Sequence, residues 1–479
     1  LRDIVADTAQ EGTAPLSAAQ EIRTFFHFWD RRFEDYGQLP LGKALFRDFI
    51  AALIVALVAI PLGIGFSIAS GMRPEQGIVA GAFAGILGGL FGGSKYQVYG
   101  PTAAFITVIA GIVNQYDVPF LILASCIAGV IVMAMGLGRL GHLFRWIPNT
   151  VIVGFTIGIA LTIMVGQLPD LLGGVHKTSP DFWEKIAILP DLFVSAHGHA
   201  LLLGVLTFIL IRQLYKISVY IPAPLIAIGL CTFLANEVWH GHEIPLVSTK
   251  YGHLSSEFIQ LTLPSLGNHS VLDLVIPVTL IVFIAALESL LSARMADRIA
   301  GNPTPYQPNK ELFGQGVVNV IVPLLNGFPC TGALARTATS IKVGAVSPLS
   351  SVIKGCLVLV LMTFFGTYLS SIPMAAIGGL LVFVAFNMVK PPEVKGVWAE
   401  GKLSVAVMAV TALMTVISDL FTAVGTGTAL FYLGRLIFRD TTPTTAPLVK
   451  TEQEADVETV AEADPADTRP ARPRRILFP

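Results

Sequence analysis

The chain has 479 residues, 53% hydrophobic and 13% charged, with a formal net charge of −1 and a mean hydropathy of +0.71. Soluble domains carry about 25% charged residues, so this balance excludes an ordinary soluble protein, and the net charge leaves no electrostatic footprint for nucleic acid. Four cysteines (Cys126, Cys231, Cys330, Cys356) fall in apolar stretches without CxxC or metal-type spacing and read as buried free thiols.

Residues 1–45 read as a cytoplasmic or interfacial N-terminal segment without a cleavable signal peptide, because the first apolar span starts only near Phe49. Within it, FFHFWDRRF (25–33) mixes aromatics with charges and suits a short amphipathic helix on the membrane surface, with a soluble arm as the alternative. A helix needs about 20 apolar residues to cross a bilayer. Full spans are expected at 49–72, 75–94, 119–138, 147–168, 199–215, 221–239, 271–293, 311–326, 347–369, 372–389, 403–418 and 420–438. Two shorter apolar pieces, 101–113 and 330–343, each follow a Gly/Pro break and bring the total to fourteen segments. The first is entered through VYGPTAAF and the second through GFPCTGALA, and each is third in its half, which suggests two inverted seven-segment repeats over about 46–240 and 270–440.

Charge asymmetry supports cytoplasmic termini at both ends of a multi-pass protein. Arg139, Arg145, Arg212, Lys216, Arg294 and Arg298 fall in inner loops, whereas the outer Arg73, Lys177, Lys185 and Lys250 are offset by acids. Residues 441–479 are polar, acidic in the middle and without apolar periodicity, and read as a disordered tail. Asp48 reads as an N-cap, and Gln167 and Asn319 as interhelical hydrogen-bonding groups. The histidines of AHGHA (196–200) and WHGHE (239–243) read as solvated loop residues. In the second span, Gly77, Gly81, Gly85, Gly89 and Gly93 recur every four residues, baring one face for close helix packing or, less favoured, for a substrate groove.

Helices that begin at mid-depth expose unpaired N–H groups and the positive end of the dipole. The two Pro-led half helices should run in opposite directions, so their N-termini face one another and form an anion site. Thr102, Ala103 and Ala104 supply one side, and Thr331, Gly332 and Ala333 the other. Arg336 lies in the second half helix as a fixed charge for the anion, or alternatively snorkels or clamps carbonyls. Glu288, in the eighth segment, has Ser292 one turn on. It could exchange a proton, coordinate Na⁺ with Ser292, or pair permanently with Arg336; proton exchange is preferred. No catalytic constellation, nucleotide loop or metal motif is present in the sequence, so an enzyme is not expected.

RDFIAALIVALVAIPLGIGFSIASG (47–71), GPTAAF, ALESLLSA (286–293) and NGFPCTGALARTA (326–338) resemble the SulP family of anion transporters over about Phe46 to Arg439. The resemblance implies an all-α polytopic fold of fourteen segments, with core and gate domains and short extended stretches before half helices three and ten. It implies substrate held between those half helices, elevator-type movement, and a homodimer in the cell (inner) membrane. It places Glu288 at the family's carboxylate position, with Ser292 where Na⁺-coupled members have Thr, and Arg336 at the basic position beside the Thr331–Ala333 turn. PLGIGFS (61–67), without the Gln and Tyr of many sulfate-type members, resembles bicarbonate-type members more closely. Most members also carry a cytoplasmic STAS domain after the last span, where this sequence has the polar 441–479 segment; either the domain was removed or this branch lacks it. The expectation is a secondary active transporter of a small inorganic anion, bicarbonate first and sulfate next, coupled to H⁺ or Na⁺. Dicarboxylate or other organic-anion transport, nucleobase–cation symport and an anion channel are the alternatives. Arg336 argues against nucleobase symport, because such proteins typically carry an acidic residue on segment ten.

Overall fold

The structure, a computed structural model, describes residues 25, 27 and 30–438 apart from 143–147, 175–181, 195, 240–243, 253–257, 303–304 and 419. The expected acidic tail, most of residues 1–29, and His240 and His242 lie outside the described residues. Each of the fourteen expected segments is a helix. The first seven are α1 Leu41–Ala69, α2 Pro74–Phe91, α3 Ile106–Gln115, α4 Val118–Leu137, α5 Asn149–Leu171, α6 Gly198–Ile217 and α7 Ala223–Phe233. The second seven are α8 Val275–Ala300, α9 Pro308–Leu324, α10 Leu334–Val343, α11 Leu349–Leu369, α12 Met374–Met388, α13 Lys402–Ile417 and α14 Leu420–Phe438. Shorter helices at Phe182–Val194 and Pro391–Glu400 join them.

Helix packing repeats between the halves. α2 lies on α11 as α9 lies on α4, and α5 lies on α13 as α12 lies on α6. Exchanging the first seven helices for the last seven converts each pair into the other. One packed set comprises α1–α4 with α8–α11, and a second comprises α5–α7 with α12–α14. α3 and α10 have 10 residues each, about 15 Å of helix or half a hydrocarbon core. Just ahead of them, β1 (Tyr99–Gly100) and β2 (Thr331–Gly332) pair antiparallel, Tyr99 opposite Gly332 and Gly100 opposite Thr331. Two unwound chains that cross inside a membrane satisfy one another's backbone groups in this way.

The glycine ladder is a packing device. A Cβ at Gly77 would lie 2.0 Å from the Gly63 carbonyl oxygen on α1, and one at Gly89 would lie 2.8 Å from Val352 on α11. Bare backbone on α2 therefore lets two neighbours approach to direct contact.

Several expectations change. α1 begins at Leu41, so Asp48 sits inside it and caps no helix start of its own. It accepts instead from the backbone N–H groups of Val346 (2.8 Å) and Ser347 (3.2 Å) and from the hydroxyls of Ser347 (2.6 Å) and Tyr36 (2.8 Å). The described part of the aromatic-basic N-terminal stretch docks on protein rather than lying free on a surface. Phe25 is buried 5.3 Å from the Phe313 ring, and Arg32 donates to the carbonyls of Gly89, Leu90 and Gly92 at the end of α2. Lys310 reaches Asp30 at 2.6 Å. Burial opposes the charge on Asp30, but Arg32 and Lys310 together hold its carboxyl below the usual range. All four cysteines are free, but only Cys231 and Cys330 are buried; Cys356 is exposed on α11. Asn319 Oδ1 accepts from the Cys330 N–H (2.9 Å), while Gln167 Oε1 is buried without a partner among the described residues. His197 and His199 belong to the start of α6, where His199 packs edge-on against Trp239.

Candidate functional site

The crossing of β1 and β2 is pinned from several sides. From α9, Gln315 Nε2 donates to the Cys330 carbonyl, and Asn319 takes the Cys330 N–H. Ser289 on α8 accepts from the Gly332 N–H (3.1 Å) and donates to Gln315 (2.7 Å). The Ala333 N–H donates to the Val98 carbonyl (2.8 Å), and Thr337 Oγ1 accepts from the Val98 N–H (2.9 Å). A Cβ at Gly332 would lie 2.2 Å from Gln97 Nε2 and would displace the amide that donates to Glu311.

This anchoring brings Thr102, Thr331, Glu288 and Arg336 together. Glu288 Oε2 accepts from the hydroxyls of Thr102 (2.7 Å) and Thr331 (2.6 Å), and those two hydroxyl oxygens lie 3.1 Å apart. One threonine comes from each half of the chain, so a single carboxylate ties the two half-helix starts together. Arg336 is buried, with its Nη2 donating to the Pro101 carbonyl. Its Nη1 is buried with no hydrogen-bond partner among the described residues, and a Cβ on Gly100 would lie 2.8 Å from it. An unpaired buried donor of this kind costs about 1–3 kcal/mol, more when charged, unless a ligand or ordered water fills it. Among the described residues Arg336 forms no ion pair with Glu288, so the permanent-bridge alternative is absent in this conformation.

The expected donors shift along the second half helix. Gly332 and Ala333 spend their N–H groups on Ser289 and Val98, and α10 starts only at Leu334. The N–H groups without an intrahelical acceptor are therefore those of Leu334, Ala335 and Arg336. On the first half, Ala103 and Ala104 open a 3₁₀ turn that leads into α3, with Thr102 as its extended N-cap. Ala335 is exposed and Glu288 partly so, while Thr102, Ala103, Ala104, Thr331, Ala333 and Arg336 are buried. In the first turn of α10, Ala335 is thus the exposed position, with Leu334 partly buried and Arg336 and Thr337 buried. Ser292 Oγ, one turn beyond Glu288, is buried without a partner among the described residues and is not bonded to Glu288.

Two further buried charges escape a reading of the sequence. Glu311 on α9 accepts from the Gly93 N–H (2.8 Å), the Ser94 N–H (3.1 Å), Gln97 (2.5 Å) and the Tyr99 hydroxyl (2.7 Å), fixing the approach to β1. Lys354 on α11 is 1% exposed and donates to the carbonyls of Gly81 (2.7 Å) and Tyr99 (3.0 Å). Its signal was available: it stands alone as a charge in LSSVIKGCLVLVLM, where insertion of one Lys costs about 2.5–3.5 kcal/mol.

The comparisons with known proteins agree with this architecture. The sulfate permease family profile matches residues 45–411. The Bacillus subtilis protein named "Putative sulfate transporter YvdB" is 36% identical over 404 residues, 84% of this chain and 75% of that protein. Bicarbonate transporter BicA of Picosynechococcus sp. is 26% identical over 395 residues, covering 79% and 68%. The transmembrane domain of a cyanobacterial BicA superposes with a TM-score of 0.69 at 24% identity over 80% of this chain and 98% of that one. Murine Slc26a9 in its inward-facing state superposes with a TM-score of 0.75 at 17% identity, over 91% and 75%. With a profile match across most of its membrane helices and a relative at 36% identity, the chain belongs to the sulfate permease family.

Proposed function

We propose that the chain is a secondary active transporter of a small inorganic anion, bicarbonate first and sulfate next, bound where α3 and α10 begin. The observation that carries this reading is the unpartnered Nη1 of buried Arg336 beside the two converging half-helix starts. Helix N-termini and a fixed guanidinium both favour an oxyanion, and an anion seated there would supply the missing acceptor.

Proton coupling is supported by the Glu288–Thr102–Thr331 triangle. A hydroxyl donates one hydrogen bond and accepts up to two. With Glu288 ionised, both threonines donate to it. With Glu288 protonated, its proton closes a ring in which each of the three oxygens donates once and accepts once. Both states are satisfied without moving a heavy atom. A Na⁺ reading has one observation of its own, the unpartnered Ser292 Oγ. The two packed helix sets are suited to elevator-type movement of one against the other, in a homodimer of the cell membrane with both termini cytoplasmic. Uptake of labelled bicarbonate, sulfate and dicarboxylates into proteoliposomes, under separately imposed H⁺ and Na⁺ gradients, tests the reading. Proton-driven accumulation of an inorganic anion is expected. Accumulation of none under either gradient would overturn it, and currents far above carrier turnover would mark a channel.

A further inference from the structure

We propose that Lys354 is the second cation of the candidate anion site and that it sets the anion charge the site can accept, admitting a dianion such as sulfate. The inference rests on the anion-site reading above.

Lys354 and Arg336 hold carbonyls of the same extended stretch, those of Tyr99 and Pro101. Carbonyls two residues apart in an extended chain lie about 7 Å apart, so two positive heads flank one short strand. Lys354 has no acidic partner among the described residues; both its recorded acceptors are neutral carbonyls. Its slot is built for it, since a Cβ at Gly85 would lie 2.5 Å from Nζ and the Gly81 carbonyl is an acceptor. The other buried acids of this helix set are held elsewhere: Asp48 on α1 by Tyr36 and Ser347, Glu75 on α2 by Arg73, and Glu311 in a separate group. Arg32 binds the Gly92 carbonyl next to the Gly93 N–H that Glu311 accepts, and Lys310 pairs with Asp30. That group holds two cations and two acids. The central group holds Arg336 and Lys354 against Glu288 alone, whose other neighbours are the hydroxyls of Thr102 and Thr331.

The charge count then limits the ligand. With Glu288 ionised the central group carries one net positive charge and a monoanion neutralises it. When Glu288 takes a proton the group carries two, and a dianion neutralises it. Without Lys354 the group reaches at most one positive charge, and a bound dianion remains uncompensated in a low-dielectric interior, where unpaired charge is disfavoured.

The test is calorimetric titration of the purified full chain with sulfate and with bicarbonate at neutral pH, in the wild type, Lys354→Gln and Lys354→Arg, with thermal unfolding recorded for each. Gln retains a donor for the two carbonyls and removes the charge. Lys354→Gln is expected to weaken sulfate at least about tenfold and bicarbonate by no more than about threefold, and Lys354→Arg to restore sulfate. Should Lys354→Gln fail to fold, Lys354→Met fills the same slot without charge. Sulfate binding unchanged in the uncharged variant, or equal losses for both anions, overturns the role of Lys354. A folded wild type that binds neither anion instead overturns the anion-site reading itself.

Discussion

At the scale of single residues, the proposed proton coupling is tested by neutralising the carboxylate of Glu288. Glu288→Gln keeps a hydrogen-bonding group beside Thr102 and Thr331 but cannot take up and release a proton. Anion exchange should persist while gradient-driven accumulation falls to the equilibrium level, measured as uptake with and without an imposed proton gradient. Accumulation that survives would move coupling elsewhere. Arg336 and Glu288 were both legible in the sequence, because each is a charge in an apolar segment and Arg336 follows a Pro-led break. Lys354 meets the same test as a lone charge in an apolar span but no break marks it, and Glu311 does not meet it. Lys354 interrupts an otherwise regular span, and Glu311 stands three residues after Pro308, where a charge at a helix start is ordinary. Their meaning depends on carbonyls and amides more than 200 positions away in the chain.

At the scale of elements, the position of the half helices was legible and their first free donors were not. Pairing of Thr331–Gly332 with Tyr99–Gly100 delays α10 to Leu334 and consumes amides that a local reading leaves free. Such pairing is a long-range event with no local periodicity. Asp48 shows the same effect: its acceptor capacity serves residues 346 and 347, not the helix it stands in. The glycine ladder, by contrast, is a local pattern and its packing role was readable. Gly77→Ala places a methyl 2.0 Å from the Gly63 carbonyl and should destabilise the fold by about 1–3 kcal/mol, seen as a lower midpoint of thermal unfolding in detergent. Gly425→Ala meets open space on α14 and should be neutral or stabilising by up to about 1 kcal/mol. Equal effects of the two would mean that close approach of α1 and α2 contributes nothing to stability.

At the scale of the whole molecule, fourteen helices in two halves followed from span lengths and two Pro-led breaks, and the exchange symmetry of the packing bears that out. The division into two packed sets was not readable, because it depends on which helices meet. If one set slides against the other during transport, a covalent tie between them should stop it. Gly65 on α1 faces Leu381 on α12, a Cβ at Gly65 lying 3.1 Å from the Leu381 side chain. The pair Gly65→Cys with Leu381→Cys, on a background lacking the four native cysteines, should lose most uptake on oxidation and regain it with reductant. Full uptake in the cross-linked protein would speak against relative movement at this contact. The central claim remains that Arg336, set between the two half-helix starts, binds the transported anion. The most direct measurement is uptake of labelled sulfate and bicarbonate by proteoliposomes holding wild type or Arg336→Ala, with thermal unfolding confirming that both are folded. The account predicts that the variant folds and that its uptake falls to the level of empty vesicles; a folded Arg336→Ala protein that transports either anion at the wild-type rate would contradict it.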